Sequence, residues 1–371
     1  MIRVALLSAL FAALALPPAF AQKKPGDSPL GKAPLDDPYT DKDEKVMAEL
    51  GVVSYAPLTW ADGLRTTDLE KVLGEGRILW LETPHFRIGS NFGACGAATD
   101  PKARKFINEE MAALNKKCSK VPGRKSKLDP WHRLHLYAHR AEQLYSEFAQ
   151  MVGHTDDKTT LGQKEKFCLL LFAKKSDLAR YLDRFCGMKS EQTQRYFFYK
   201  SKTYSLNMTL EGEDGPRDEA TTYAQFRYFL MQMFADAAGG LPMWLSYGIG
   251  HNYERDIPCN MINVGIRADE SVDQATQNDW ERKISKRAEH PELLMTFLEL
   301  CAANNDIGYY GHVQAWARVK FLMEDREKFT QFVSMLVKKN GRERQIEALQ
   351  AVYGWTPEQF DEEWLKWCTR L

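Results

Sequence analysis

The segment "DEATTYAQFRYFLMQMFADAAGG", Asp218 to Gly240, constrains this chain more than any other. It is apolar on most sides of a helix, so it cannot lie on a surface and has to be buried among other elements. Gly239 ends it, glycine being the usual residue just past a helix. The following stretch, "GGLPMWLSYGIGHNYER" from Gly239 to Arg255, reads as a turn and a second helix. Tyr247, His251 and Glu254 recur there at i, i+4 and i+7 and share one face. A chain of 371 residues, 44% hydrophobic, has the material to enclose such a pair. Its length suits one large or two medium domains.

The rest of the chain sets the boundaries. Arg3, the apolar run "VALLSALFAALAL" and the small-residue site "AFA" before Gln22 form a signal peptide over residues 1–21, cleaved near Ala21. The apolar run is too short to span a bilayer. No cysteine follows the cleavage site, so no lipid anchor is indicated. The expected product is secreted or periplasmic and soluble. Residues 22–45 are rich in Pro, Lys, Asp and Gly and read as a flexible linker. An N-terminal α/β part over 46–212 and a helical part over 213–371 then form one unit.

Fifty basic and fifty acidic side chains give zero formal charge. That leaves no field for holding nucleic acid, and the basic stretch from Lys116 to Lys127 reads as a solvated loop. No later segment is apolar enough to cross a membrane. Any partner is left to the cell envelope or to another protein. Seven cysteines are an odd number, so at least one is unpaired within the chain. Cys95–Cys118 and Cys168–Cys186 are the candidate bridges, and Cys168 has a second reading as core.

Periodicity makes the chain α+β: a small N-terminal mixed sheet with a long helix, then a mainly helical C-terminal half. "RILWLETPHFRIGS", Arg77 to Ser90, is β-rich and broken by Pro84, which suggests an edge strand or a bulge. "KFCLLLF" has strand length, and Ser176 caps a helix after it. "TYSLNMTL" alternates as a half-buried strand, which argues against use of the sequon at Asn207. The helix beginning at "DPWHRLHLYAHRAEQ" carries an apolar stripe of Leu134, Ala138, Ala141, Tyr145 and Phe148. Further helices are expected at 242–255, 278–285, 291–303, 310–323, 327–338 and 342–353. The last helix starts at Pro357, with Thr356 and Gln359 as its capping box.

The strong catalytic motifs are absent. None of the eight histidines is followed by Glu, so H-E-x-x-H does not occur; phosphate loop, dinucleotide turn and nucleophile elbow are missing too. One histidine group remains. His135 and His139 are four apart, with His132 and Glu142 on the same face. The first two can share a metal, whereas His132 and His139 are about 10.5 Å apart on a helix and cannot. The competing reading has these histidines flanking the stripe and bonding locally. Met231, Met233, Phe226, Phe229 and Phe234 can line a pocket but fit core packing better.

Taken in order, "ETPHFRIGS", "AEQLYSEFAQMVG", "FCLLLFAKKSDLARYL", the buried helix, "GGLPMWLSYGIGHNYE" and the tail from "YYGHVQAWARVKF" to "TPEQFDEEWLKW" follow a known pattern. From about Arg77 to Leu371 the chain resembles the peptidase-MA-like zinc metallopeptidases, or gluzincins. The resemblance implies a metallopeptidase-like C-terminal half whose buried helix carries H-E-x-x-H, and an LP-x-W-L-x-E-G helix supplying a third ligand. It places the first histidine near Gln225, the catalytic Glu near Phe226, the second histidine near Phe229 and the third ligand at Tyr247. None of these four residues supplies the expected group.

The expectation is therefore a degenerate member: no catalytic residue, no cofactor, and a binding or structural role. His251 is expected to bond a neighbouring loop, and Glu254 to pair with Arg255 or Lys202. The alternative is a zinc hydrolase rebuilt from His135, His139, Glu142 and His251, with His132 as a further donor. A third reading, a carbohydrate- or envelope-binding protein, rests on nine tryptophans and requires an exposed aromatic row.

Overall fold

The computed structural model describes residues 28–98, 100–156, 158–212, 215–259, 261–263, 271–273, 279–303 and 307–371. The expected signal peptide and cleavage site, and the first residues of the expected linker, lie outside them. The elements run α1 (Glu44–Leu50), β1 (Ser54–Tyr55), β2 (Thr59–Ala61), β3 (Leu64–Arg65), α2 (Thr66–Leu73), β4 (Leu79–Glu82), β5 (Phe86–Ser90), β6 (Cys95–Gly96), α3 (Pro101–Lys117), β7 (Lys127–Leu128) and α4 (Pro130–Met151). Next come β8 (Phe167–Phe172), α5 (Lys175–Tyr181) with a π-turn over Leu182–Cys186, β9 (Gln194–Phe198), β10 (Thr203–Thr209), α6 (Glu219–Ala237), α7 (Met243–Arg255) and the short pair β11 (Met261–Asn263) and β12 (Ser271–Asp273). The chain ends in α8 (Trp280–Ala288), α9 (Phe297–Ala302), α10 (Gly308–Leu322), α11 (Arg326–Leu336), α12 (Arg342–Tyr353) and α13 (Pro357–Cys368). This is the α+β arrangement expected: a mixed sheet in the N-terminal half, helices in the C-terminal half.

The sheet has the order β1-β4-β5-β8-β10-β9. Its centre, β5-β8-β10, is parallel and its flanks are antiparallel. Parallel strands need both faces covered, and β8 shows how. Phe167, Leu169 and Leu171 enter the large core with α4 and α6, while Cys168, Leu170 and Phe172 enter a second core with α2 and α5. The period of two thus assigns one strand to two cores.

Several expectations change. Pro84 does not mark an edge strand: it sits in the turn of a β4–β5 hairpin, and β5 is central. The strand β10 is buried on both faces rather than half-buried, because its polar side meets β9 and the second core; Ser205 donates to the Tyr196 carbonyl at 3.3 Å. Asn207 is buried within it. The first helix after β8 is capped at Lys174, not Ser176. The expected 291–303 helix splits into a 3-10 turn at Pro291–Leu293 and α9, where Thr296 starts a new capping box. All seven cysteines are free thiols, so neither bridge forms.

Residues 28–43, read as linker, are instead seated on the core. Asp37 is buried and its Oδ2 accepts from His135 Nε2 at 2.8 Å, Tyr55 OH at 2.6 Å and Thr40 Oγ1 at 2.7 Å. Burial alone would raise the Asp37 carboxyl, but His135 and the hydroxyls hold it far below the usual range. Hydropathy misses such a segment because, beside the buried Leu30 and Tyr39, polar groups anchor it. Among the described residues no helix is long and apolar enough to cross a membrane.

Candidate functional site

α6 stands between α4 and α7. Phe226 meets Tyr137 of α4 at 5.1 Å between ring centroids, and Tyr228 meets His251 of α7 at 4.7 Å. Two residues apart on a helix is about 200°, so the two rings face opposite neighbours.

α7 lies on α10 through Gly248. A Cβ there would come within 2.4 Å of the Ala315 carbonyl oxygen and of Val319 Cγ2. Glycine is what lets the two backbones meet. Close approach brings His251 and His312 together: Nε2 of the first and Nδ1 of the second are 3.0 Å apart. His251 Nδ1 is 3.2 Å from Glu254 Oε2. With Glu254 Oε2 as the acceptor, the His251 proton sits on Nδ1 and Nε2 accepts from His312 Nδ1–H. The result is a carboxylate–imidazole–imidazole chain.

Rings enclose it. Tyr247 lies against His312 at 4.6 Å between centroids, and Trp280 of α8 stands edge-on to His251 at 5.0 Å. The Arg255 guanidinium lies 4.4 Å above the Trp280 ring. His251, Glu254 and His312 are all fully buried. Burial, with His312 and Arg255 adding to it, pushes the His251 imidazolium well below its ordinary pKa. His251 is therefore a neutral ring near pH 7. Burial also raises the Tyr228 hydroxyl, with Glu254 and Tyr247 adding to it.

The positions marked in the sequence are distributed as follows. Tyr247 and His251 are neighbours in the α7–α10 cluster. Gln225, Phe226 and Phe229 are buried on α6, where Tyr228 is the residue packed on His251. Glu254 bonds His251, and Lys202 lies by the Phe197 ring in the β9–β10 turn. The four alternative metal ligands do not converge. His135 bonds Asp37, His139 Nδ1 lies 3.4 Å from Lys117 Nζ, and Glu142 bonds His85, all on the α4 side of α6. His132 is buried beside Tyr39. Among the described residues no three His, Cys, Asp or Glu side chains are grouped to hold a metal ion.

Sequence reading missed His312, although it shares a stripe with Ala315, Trp316 and Val319, all buried; a histidine on such a stripe signals a buried imidazole. It also missed the ions beneath α4. Glu219 Oε2 accepts from Arg133 Nη2 at 2.8 Å and Oε1 from Arg140 Nη1 at 2.6 Å, while Arg140 Nη2 reaches Glu110 at 2.6 Å. Burial opposes ionisation of Glu219, but the two guanidiniums outweigh it and hold the carboxyl below its ordinary value.

No protein-family model, curated protein or solved structure matches the chain.

Proposed function

We propose that this is an exported protein on a metallopeptidase-like scaffold that does not hydrolyse peptides and acts by binding or as a structural element. The observation that carries the reading is the ring-filled junction of α6, α7 and α10. Tyr247 stands where the resemblance calls for a metal-binding carboxylate, packed against His312. The chain of Glu254, His251 and His312 is closed off from solvent. A tyrosine of ordinary acidity is a poor zinc ligand near neutral pH, and the α6 positions matched to the other ligands are Gln225, Phe226 and Phe229.

The zinc-hydrolase alternative requires His135, His139 and Glu142 to meet His251, and α6 intervenes between them. Tryptophan does not supply the exposed row that carbohydrate binding by an aromatic surface requires. Eight tryptophans are buried and Trp355 is half-buried.

Elemental analysis of the purified protein, with and without added zinc, tests the reading alongside a peptide-hydrolysis assay. The expected result is less than stoichiometric metal and no cleavage above a buffer control. One tightly held equivalent of zinc with cleavage would overturn it. Loss of that metal in His135→Ala/His139→Ala would move the site to α4.

A further inference from the structure

A cleft of about 480 Å³ opens where the β4–β5 turn meets the end of α4, with His85, Glu142, Tyr145, Ser146, Gln150 and Asp156 in its wall. It lies apart from the α6–α7 junction. Glu142 holds His85 twice: Oε1 accepts the backbone N–H at 3.0 Å, and Oε2 lies 2.7 Å from ring Nδ1. Burial would raise the Glu142 carboxyl, but bonds from His85 and Thr83 outweigh it and keep the group below its ordinary value. A carboxylate only accepts, so Nδ1 of His85 carries a proton toward Glu142 and Nε2 is the ring nitrogen left for another partner. The ring plane is fixed too, stacked on Tyr145 at 3.8 Å and 21°.

A structural tie would use only the Nδ1 side of this ring. The side chain stays 29% exposed in the cleft wall, so a preoriented Nε2 is available to a ligand there. The wall also indicates what kind. No lysine or arginine lines it, and two carboxylates do, which disfavours an anion. Ser146, Thr155 and Gln150 offer hydroxyl and amide groups suited to exchanging hydrogen bonds with a polyol. The size falls within that of small-molecule sites.

We infer that this cleft binds a neutral, hydroxyl-rich small molecule of the mono- or disaccharide class, with Nε2 of His85 bonded to one of its hydroxyls. The inference goes beyond the proposed function and does not depend on it. Titration of the full chain with glucose, N-acetylglucosamine and cellobiose, each to about 50 mM for a millimolar Kd, is followed by NMR on the ring protons of His85 and of Tyr145, which also lines the cleft and remains in the His85 variant. At least one sugar should give a saturable shift. His85→Asn keeps a donor for Glu142 and removes Nε2; it should weaken binding by about tenfold or more while leaving the Tm unchanged. Should that variant fail to fold, Ser146→Ala/Gln150→Ala on the helix surface should weaken binding instead, with the His85 signals retained. No saturable shift with any of the three sugars, or an affinity unchanged in the folded variant, overturns the inference.

Discussion

Beneath α4 the buried polar groups are paired ions, whereas between α6, α7 and α10 they centre on imidazole rings, His251 a neutral one. Glu219, Arg133 and Arg140 are buried as charges because each has partners of opposite sign at hydrogen-bond distance. His251 is buried uncharged and bonded to the equally buried His312. Desolvation is expensive for an ion and modest for an imidazole that is hydrogen-bonded. The first cluster therefore depends on its full set of charges, and the second on staying unprotonated.

The largest test of that contrast is Glu219→Gln, which leaves two buried guanidiniums short of a carboxylate. Urea unfolding should show a loss of about 3–5 kcal/mol, and a loss below about 1 kcal/mol would mean the cluster is not held by charge. Gly248→Ala comes next. The added methyl meets the Ala315 carbonyl, and overpacking of this kind costs about 1–3 kcal/mol; NMR should also show the His251 and His312 rings shifting.

Acid separates the two clusters by pH window. The folded His251 binds a proton far less readily than the unfolded residue, whose pKa is near 6.5. The unfolded state therefore holds more protons below that pH, and stability falls as pH falls. The slope contributed is up to about 1.4 kcal/mol per pH unit. Glu219 is shifted in the same direction but from a lower ordinary value, so its stabilisation is complete at neutral pH and is lost only as pH falls below about 4.5. His132 and His139 are also held down, to about 4, by burial, so unfolding measured at pH 7.5, 6.5 and 5.5 should slope in the parent and slope less steeply in His251→Gln; equal slopes would place the protonation elsewhere. The smallest effect belongs to Glu254→Gln. The amide oxygen still accepts from His251 Nδ1–H, so the loss should be about 1 kcal/mol or less, well under that of Glu219→Gln. Similar losses in both would erase the distinction.

Elements with their own local signals were legible in the sequence. The α13 helix carries its Thr356–Gln359 capping box and Pro357, and the structure has all three in place. The buried character of α6 follows from its apolar sides, and "FCLLLF" is a strand buried throughout. Polar burial was far less legible. Arg133, Arg140 and Glu219 read as surface charges because nothing local says that the residues meet; they are 79 and 86 positions apart. Asp37 lay in a segment whose composition resembles a linker, and its anchor His135 is 98 positions away. Glu142 was singled out by its spacing from His139, but its partner His85 comes from a hairpin turn 57 positions earlier. Within the α7 face, Tyr247, His251 and Glu254 were legible as a set. Their closure required His312, which only the helix pairing supplies.

The contact at Gly248 also determines how the junction can be approached. With carbonyl and glycine touching, no side chain at Gly248 can rotate aside, and that point of the seam stays shut. Toward Tyr228 and toward Trp280, His251 is covered by rings instead of backbone, and there a rotamer change is enough to open a path for a proton or a small molecule.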